Sequence, residues 1–359
     1  MTLKNNKIYI FGAHSRSITF GVYMRSLFPE TDILAYLYDN DETNPSEVDG
    51  VPVISLKKAD SLDISCPVYL AVRGTFHERI SGVLKDLGFM DIISVTPGMD
   101  TVLRNRYVKK SFASSGREFI KIDDLNRGSF SHSLRVYVTR SIFDKPLKDF
   151  FYLAGYECFI QAGTDISERR LEGCTVFDNE GDNISGRNKQ FCELTALYRL
   201  WKGASEDVIG LVHYRRHFVL PKGWEACFEK ADVILPVPLF VYPSLKENYV
   251  SRHTLKTWNL MMEALAGMHG SMLESARDFF ENNGFYSPCN MFIMKREILN
   301  DFCEWLFPVL FYVSDRAGEL TDAYQNRYPG FLSERLLSFF FYYFRDKYHV
   351  VYADKNFLN

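Results

Sequence analysis

No two of the seven cysteines form a C-x-x-C pair, and all are scattered along the chain. This spacing argues against a zinc site and a disulfide framework, and an odd count in a long chain fits a reducing cytoplasm. The start, MTLKNNKIYIFGAHS, has neither the apolar core nor the small-residue cleavage site of a secretory signal, which also favours a cytoplasmic protein. Long apolar runs are missing. The greasiest stretches, WLFPVLFYV and LLSFFFYYF, are too short and too interrupted to span a bilayer. Charge of one sign is not in excess: the net charge is -3, so no global field draws the chain to nucleic acid, and none is expected as a partner. Repeats, low-complexity tracts and a G-x-G-x-x-G turn are also missing.

What is present suits a globular protein. The 359 residues are 47% hydrophobic and 24% charged, a length that favours two domains. Aromatics reach 15%, with 30 Phe and 21 Tyr. Most are expected in the core, with sugar platforms and contact with a membrane face as further uses.

The order of elements predicts an α/β protein in two parts. Residues 1–107 alternate strands (KIYIFG, DILAYLYDND, PVYLAVRG, DIISVTP) with helical patterns (ITFGVYMRSLF, FHERISGVLKDLG), as in a Rossmann-like parallel sheet. Residues 108–133 are polar and irregular and read as a linker. Residues 134–359 begin a new alternation. LRVYVTR and ECFIQAG read as strands, TDISERRLEGCTVFDNEGDNISGRN as a loop, and KQFCELTALYRLWKG as one helix. VIGLVHY, ADVILPVP and PCNMFIMKR follow as strands, and EILNDFCEWLFPVLFYV and LSERLLSFFFYYFRD as apolar helices.

Four stretches carry polar groups suited to chemistry. In FGAHSRS, Gly12 opens a strand-to-helix turn, read first as a plain Rossmann-like turn and second as a phosphate site. Asp39 and Asp41 end a strand as Asp-x-Asp; an acidic turn comes first, a ribose-binding acid second and a divalent-cation site third. DNEGDNIS supplies Asp178, Glu180 and Asp182 without the EF-hand spacing, and a solvated turn competes there with a ligand loop. In GLVHYRRHF, an apolar strand runs into His213, Tyr214, Arg215, Arg216 and His217. Paired surface arginines are usually just solvated. Here they follow the carboxyl end of a strand, where open α/β sheets bind ligands, and guanidinium forks grip phosphate oxygens.

Taken together, NISGRNKQFCELTALYRLWKG, IGLVHYRRHF, CNMFIMKREIL and GFLSERLL resemble the bacterial capsular and exopolysaccharide glycosyltransferase family with the HYRR signature, long classed as a domain of unknown function. The resemblance covers roughly Leu134–Asn359. It implies a GT-A-like domain that holds a nucleotide sugar, a UDP-sugar in the first place, at its strand ends. By motif it carries over Asn183, Ser185, Asn188, Glu193, Thr195 and Tyr198, then His213, Tyr214, Arg215 and Arg216, then Asn290 and Met291, then Glu334 and Arg335; Asp182, Thr139 and Arg140 are further donor-binding candidates. Tyr249 and His253 correspond to an acceptor side. The first strand departs from the pattern, with Thr139 and Arg140 where His-Lys is expected. The N-terminal segment is similar to Rossmann-like domains that precede some sugar-modifying enzymes.

The expected activity is transfer of a sugar to a capsular, exopolysaccharide or lipid-linked glycan acceptor, in the cytoplasm or at the inner face of the membrane. Glu334 is the first candidate base, with Glu193 and Asp182 behind it; a dipole-favoured acid in a helix first turn is its structural alternative. His213 and Arg215 are expected to share one strand face toward the leaving diphosphate, and fixed cations to stand in for a metal. Mg²⁺ or Mn²⁺ on Asp178, Asp182 or Asp39 is the opposing expectation. Two other functions compete: an NAD-dependent sugar-nucleotide enzyme, and a non-catalytic nucleotide-sugar-binding component of an assembly complex. The missing G-x-G-x-x-G and the lack of a Tyr-x-x-x-Lys pair near the first domain argue against the former.

Overall fold

The structure is a computed structural model that describes residues 6–40, 43–125, 128–149 and 151–358, with the side chains of 59 and 60 left aside. Asp41 of the Asp-x-Asp pair lies outside the described residues. The chain divides into two compact units, Met1–Glu118 with Phe240–Tyr242, and Phe119–Leu239 with Pro243–Asn359.

The first unit contains β1 (Lys7–Phe11), α1 (Ser15–Leu27), β2 (Asp32–Tyr38), β3 (Glu47–Val48), β4 (Val51–Ser55), β5 (Val68–Leu70), α2 (His77–Asp86), β6 (Ile92–Ser94) and α3 (Pro97–Ser114). Its strands form a six-stranded sheet in the order β3-β4-β2-β1-β5-β6, parallel except for the β3–β4 pair. Alternation along β1 builds a core on each face. Ile8 and Ile10 pack with Phe20 and Tyr23 of α1 and Leu103 of α3, whereas Tyr9 and Phe11 pack with Ile80 and Leu84 of α2. Helices on both faces of a largely parallel sheet are the doubly wound arrangement. Thr96 caps α3 and Pro97 starts it, and buried Val108 and Phe112 continue the apolar stripe. The helix therefore runs through residues expected at the start of the linker.

The second unit contains β7 (Leu134–Arg140), β8 (Glu157–Gln161), β9 (Cys174–Phe177), α4 (Asn188–Phe191), α5 (Leu194–Gly203), β10 (Val208–His213), β11 (Val233–Pro236), the first residue of β12 (Leu239–Phe240), α6 (Leu245–Val250), α7 (Leu255–Met268), α8 (Leu273–Asn282), β13 (Phe285–Tyr286), β14 (Phe292–Lys295), α9 (Arg296–Ala317), α10 (Tyr328–Tyr343) and β15 (Val350–Ala353). A seven-stranded sheet runs β15-β11-β14-β10-β7-β8-β9. All its strands are parallel except β14, which opposes both β10 and β11. β9 emerges from a stretch expected to be loop. The expected single helix after it breaks in two at Cys192, whose φ is 49°. The expected PCNMFIMKR strand begins only at Phe292.

The greasy C-terminal stretches are core. Leu306, Phe307, Leu310 and Val313 of α9 and Phe339, Phe340 and Phe341 of α10 are buried, which leaves those side chains none of the membrane-facing role considered for them. No helix among the described residues is long and apolar enough to cross a membrane.

β10 lies between β7 and β14, and its middle residue is Gly210. A Cβ there would stand 2.8 Å from Val136 and 3.0 Å from Ile293, one on each neighbouring strand. Those β-branched side chains belong to the same buried cluster and have little room to retreat. Gly210→Val is expected to destabilise the second unit by about 1–3 kcal/mol. Urea denaturation should show a lower midpoint; an unchanged midpoint would contradict this packing.

Candidate functional site

β10 ends at His213, and the chain then folds back. The His213 and Arg216 backbones exchange hydrogen bonds of 3.2 and 3.0 Å, so HYRR is a tight turn. Strand alternation stops at His213, and the expected common face for His213 and Arg215 gives way to a pairing of His213 with Arg216. Arg215 reaches the C-terminal segment, its Nε donating to the Leu358 carbonyl at 3.4 Å and its guanidinium lying over Phe357. The Tyr214 hydroxyl accepts from the Lys145 N–H at 3.1 Å.

Because β14 runs against β10, the residues entering β14 arrive beside the carboxyl end of β10: Leu211 pairs with Phe292. Two of them, Cys289 and Asn290, are non-glycine residues at φ 76° and 48°. Such left-handed residues cost ~1–3 kcal/mol each and persist where surrounding contacts over-determine them. The contacts here are specific. The Cys289 carbonyl lies 2.5 Å from His213 Nε2, and the Cys289 N–H donates to Glu334 Oε1 at 2.6 Å. Asn290 Nδ2 donates to Glu193 Oε1 at 2.8 Å and to the Gly330 carbonyl at 3.1 Å. One corner thus joins the end of β10, the start of α5 and the first turns of α10.

A carbonyl can only accept, so His213 carries its proton on Nε2 and leaves Nδ1 as the acceptor of the neutral ring. Burial lowers the His213 pKa; Glu193 opposes that shift, while Arg216 and Arg327 reinforce it. Burial raises the Glu334 carboxyl, and Glu193 adds to the rise, although Arg335, the Cys289 N–H and Arg216 pull it back. Glu334 Oε2 accepts from Arg335 at 2.9 Å. Arg335 is itself buried against the Tyr286 ring and donates to Asn248 and the Phe331 carbonyl. The site therefore holds a neutral imidazole, two carboxylates and several guanidiniums. It also has buried acceptors left over: Asn290 Oδ1 and Thr139 Oγ1 have no hydrogen-bond partner within the protein. Thr139 is paired with His213 in the β7–β10 register. Unsatisfied buried polar atoms beside a convergent charged cluster are what a polar ligand would meet.

Other expected residues have partners within the protein. Asp178 is fully buried and accepts from the Gly163 and Thr164 N–H groups and the Ser185 hydroxyl, at 2.6, 2.9 and 2.5 Å. Asn183 closes its own turn through Asn179, Gly181 and Ser185. Asn188 donates to the Cys192 carbonyl and to Thr195, which also donates to that carbonyl. Met291 sits in the apolar core. Asp182 accepts from the Tyr198 hydroxyl on an exposed turn. Arg140 lies over Phe159 and donates to the Glu172 carbonyl. Asp39 is paired with Arg79 at 2.5 Å in the first unit. Among the described residues, no three or more His, Cys, Asp or Glu side chains converge as a metal site.

Sequence reasoning missed Cys289, whose peptide groups do the joining, and Arg327, which contacts Cys192 Sγ at 3.1 Å and acts on both Glu193 and His213. The CN pair ahead of a short strand offered only a weak signal, because positive φ on non-glycine residues is set by tertiary contacts.

On the expected acceptor side, the Tyr249 hydroxyl bonds to Thr257 at 2.9 Å, and the His253 ring stacks on Phe331 at 4.1 Å. His253 Nδ1 lies 3.2 Å from Gln325 Oε1. Burial lowers the His253 pKa from 6.5 to about 4, with Arg335 and Arg252 acting in the same direction. Between those values the unfolded chain binds a proton that the fold does not. Stability is therefore full above 6.5 and falls as pH drops toward 4, and His213 shifts in the same direction. His253 alone is expected to remove about 2 kcal/mol between pH 7.5 and 5. Chemical denaturation at both pH values should show a smaller loss for His253→Asn than for the natural chain. Equal losses would contradict the burial of a neutral ring.

The chain is similar to a solved structure at the level of fold. WbbM, a bifunctional glycosyltransferase solved in its apo form, superposes with a TM-score of 0.56 at 23% identity, over 63% of this chain and 45% of that one. This chain thus spans less than half the length of that structure. No curated protein matches it. A family profile described as "Domain of unknown function (DUF4422)" matches residues 148–345, more than half of the 359 residues and including β10, the Cys289–Asn290 corner and α10. The chain belongs to that DUF4422 family.

Proposed function

We propose that this protein is a glycosyltransferase that takes a sugar from a nucleotide-sugar donor, a UDP-sugar first among candidates, and attaches it to a capsular, exopolysaccharide or lipid-linked glycan. The observation that carries the reading is the convergence, at the carboxyl end of β10, of neutral His213, Glu193, Glu334, Arg216 and Arg327, on a sheet similar in fold to that of a glycosyltransferase. A lipid-linked acceptor would bring the protein to the inner face of the membrane as a peripheral partner.

In the proposed reaction the anomeric C–O bond to the diphosphate breaks and its electron pair leaves with phosphate. Arg216 and Arg327 offset that growing charge as fixed cations that need no reorganisation. Arg215, engaged with the C-terminal segment, supports the turn more than the diphosphate. The acceptor oxygen bonds to the anomeric carbon, and its proton passes to Glu334. His213 Nδ1, Asn290 Oδ1 and Thr139 Oγ1 offer acceptors to sugar and ribose hydroxyls. Glu193 fixes the Asn290 amide, and Arg335 holds Glu334. Among the described residues, no three or more His, Cys, Asp or Glu side chains form a cage for Mg²⁺ or Mn²⁺.

Burial raises the Glu334 carboxyl, so a base there gains activity as pH rises through a value above the ordinary glutamate of about 4.3. Glu334→Gln is expected to lose that limb and about 10²–10⁴ in rate. Arg216→Ala is expected to cost about a hundredfold, and Arg215→Ala much less. A panel of nucleotide sugars, assayed for binding, slow hydrolysis and transfer with and without chelator, checks these outcomes. Binding of no nucleotide sugar would overturn the function. Retention of anomeric configuration would overturn the role of Glu334, and activity lost to chelator and restored by Mn²⁺ would overturn that of the fixed cations.

A further inference from the structure

The loop ahead of α10 holds out an aromatic ring that the proposed transfer does not yet use. Apolar side chains scattered singly over a surface are ordinary. Tyr324 is 55% exposed, but its ring is backed by others. It rests on Phe331 with centroids 5.0 Å apart and stacks on His253 at 5.8 Å, and His253 in turn stacks on Phe331. Tyr249 and His253, expected on the acceptor side, are themselves buried. The face that this stack presents outward is therefore that of Tyr324.

The loop is pinned around the ring. The Asp322 carboxylate accepts from the Gln325 N–H at 2.7 Å, and Asn326 Oδ1 accepts from the Leu320 N–H at 2.9 Å. The Gln325 amide donates to the Arg252 carbonyl at 2.8 Å, while its oxygen lies near His253 Nδ1. A ring held in place before its ligand arrives spares binding the cost of ordering it.

The platform adjoins the candidate base. Phe331 and Glu334 are three residues apart on α10 and so share one face. The Arg327 guanidinium lies 5.9 Å from the centre of the Phe331 ring, and its Nε donates to the sulfur of Cys192, the residue before Glu193. The Gly330 carbonyl, just ahead of Phe331, accepts from the Asn290 amide, and Asn290 is 3% exposed with its Oδ1 unpartnered within the protein. An exposed ring, a carboxyl and an unsatisfied buried acceptor thus meet at the first turns of α10. Arg252 and Arg327 are exposed and add donors there. A hexose has C–H bonds on its faces and hydroxyls round its rim, so it can stack on an aromatic while guanidiniums and an amide oxygen bond its rim. A phosphate alone would leave the ring unused.

We propose that Tyr324 is the platform on which a hexose ring of the acceptor glycan stacks, with its nucleophilic hydroxyl turned toward Glu334. The acceptor role rests on the transferase reading proposed above; the stacking is measurable without a donor.

Methyl glycosides of glucose, galactose, mannose and N-acetylglucosamine are the probes, offered to the full chain in saturation-transfer NMR. At least one is expected to take up saturation at its ring C–H positions. The signal should vanish in Tyr324→Ala and persist in Tyr324→Phe, which keeps the ring and removes only the hydroxyl. With a nucleotide sugar that the chain hydrolyses, transfer to that glycoside should show a KM about tenfold higher in Tyr324→Ala, with kcat less affected, and the natural KM in Tyr324→Phe. Saturation of no glycoside, or equal saturation in Tyr324→Ala, overturns the platform and leaves the donor site standing where a nucleotide sugar still binds. A loss that Tyr324→Phe does not recover overturns stacking in favour of the hydroxyl. Saturation that depends on Tyr324 in a chain that binds no nucleotide sugar overturns the acceptor role together with the transferase reading.

Discussion

The corner at Cys289 and Asn290 holds the site of the second unit together. Its two left-handed residues aim one peptide N–H at Glu334, one carbonyl at His213 and one side-chain amide at Glu193. Each bond joins a different element, and the strain of the corner, ~1–3 kcal/mol per residue, is tolerable only because all three are made at once. Loosening the corner would leave a buried carboxyl and a buried imidazole short of partners, which is costlier than the strain.

The corner is available because one strand is reversed. A parallel strand next to β10 would bring its own carboxyl end there, as β7 does with Thr139 and Arg140. β14 runs the other way and brings the residues that precede it. A rigid central strand, kept narrow at Gly210, thus faces a loop from distant sequence, and α10 supplies Glu334 and Arg335 from farther still. Burial then shapes the chemistry. It lowers the His213 pKa and raises that of the Glu334 carboxyl, with Arg216 and Arg327 lying around them.

Much of the fold was legible from alternation. KIYIF alternates between two cores, and a sheet covered on both faces follows from the helical patterns between strands. The HYRR cluster was visible because it stands at the carboxyl end of an apolar strand, where open α/β sheets bind ligands. The grouping within it was not. Alternation pairs His213 with Arg215, but the turn pairs His213 with Arg216, since period two holds only while the ladder continues. Asp178, Asn183 and Asn188 looked like ligands because short polar side chains in a loop suit either a sugar or a backbone. Here the backbone takes them, because Gly163 at φ 71° and the break at Cys192 leave peptide groups that need partners.

The sequence by itself determined the α/β class, the apolar character of the central strand and the residue types at its end, since local periodicity and residue chemistry survive without any knowledge of contacts. Only the tertiary structure decided which charged groups share one buried volume. His213, Glu193, Asn290 and Glu334 come from positions separated by up to 141 residues, as their numbers show. Their protonation and hydrogen bonding depend on desolvation and on the reversed strand beside β10, neither of which a linear pattern encodes.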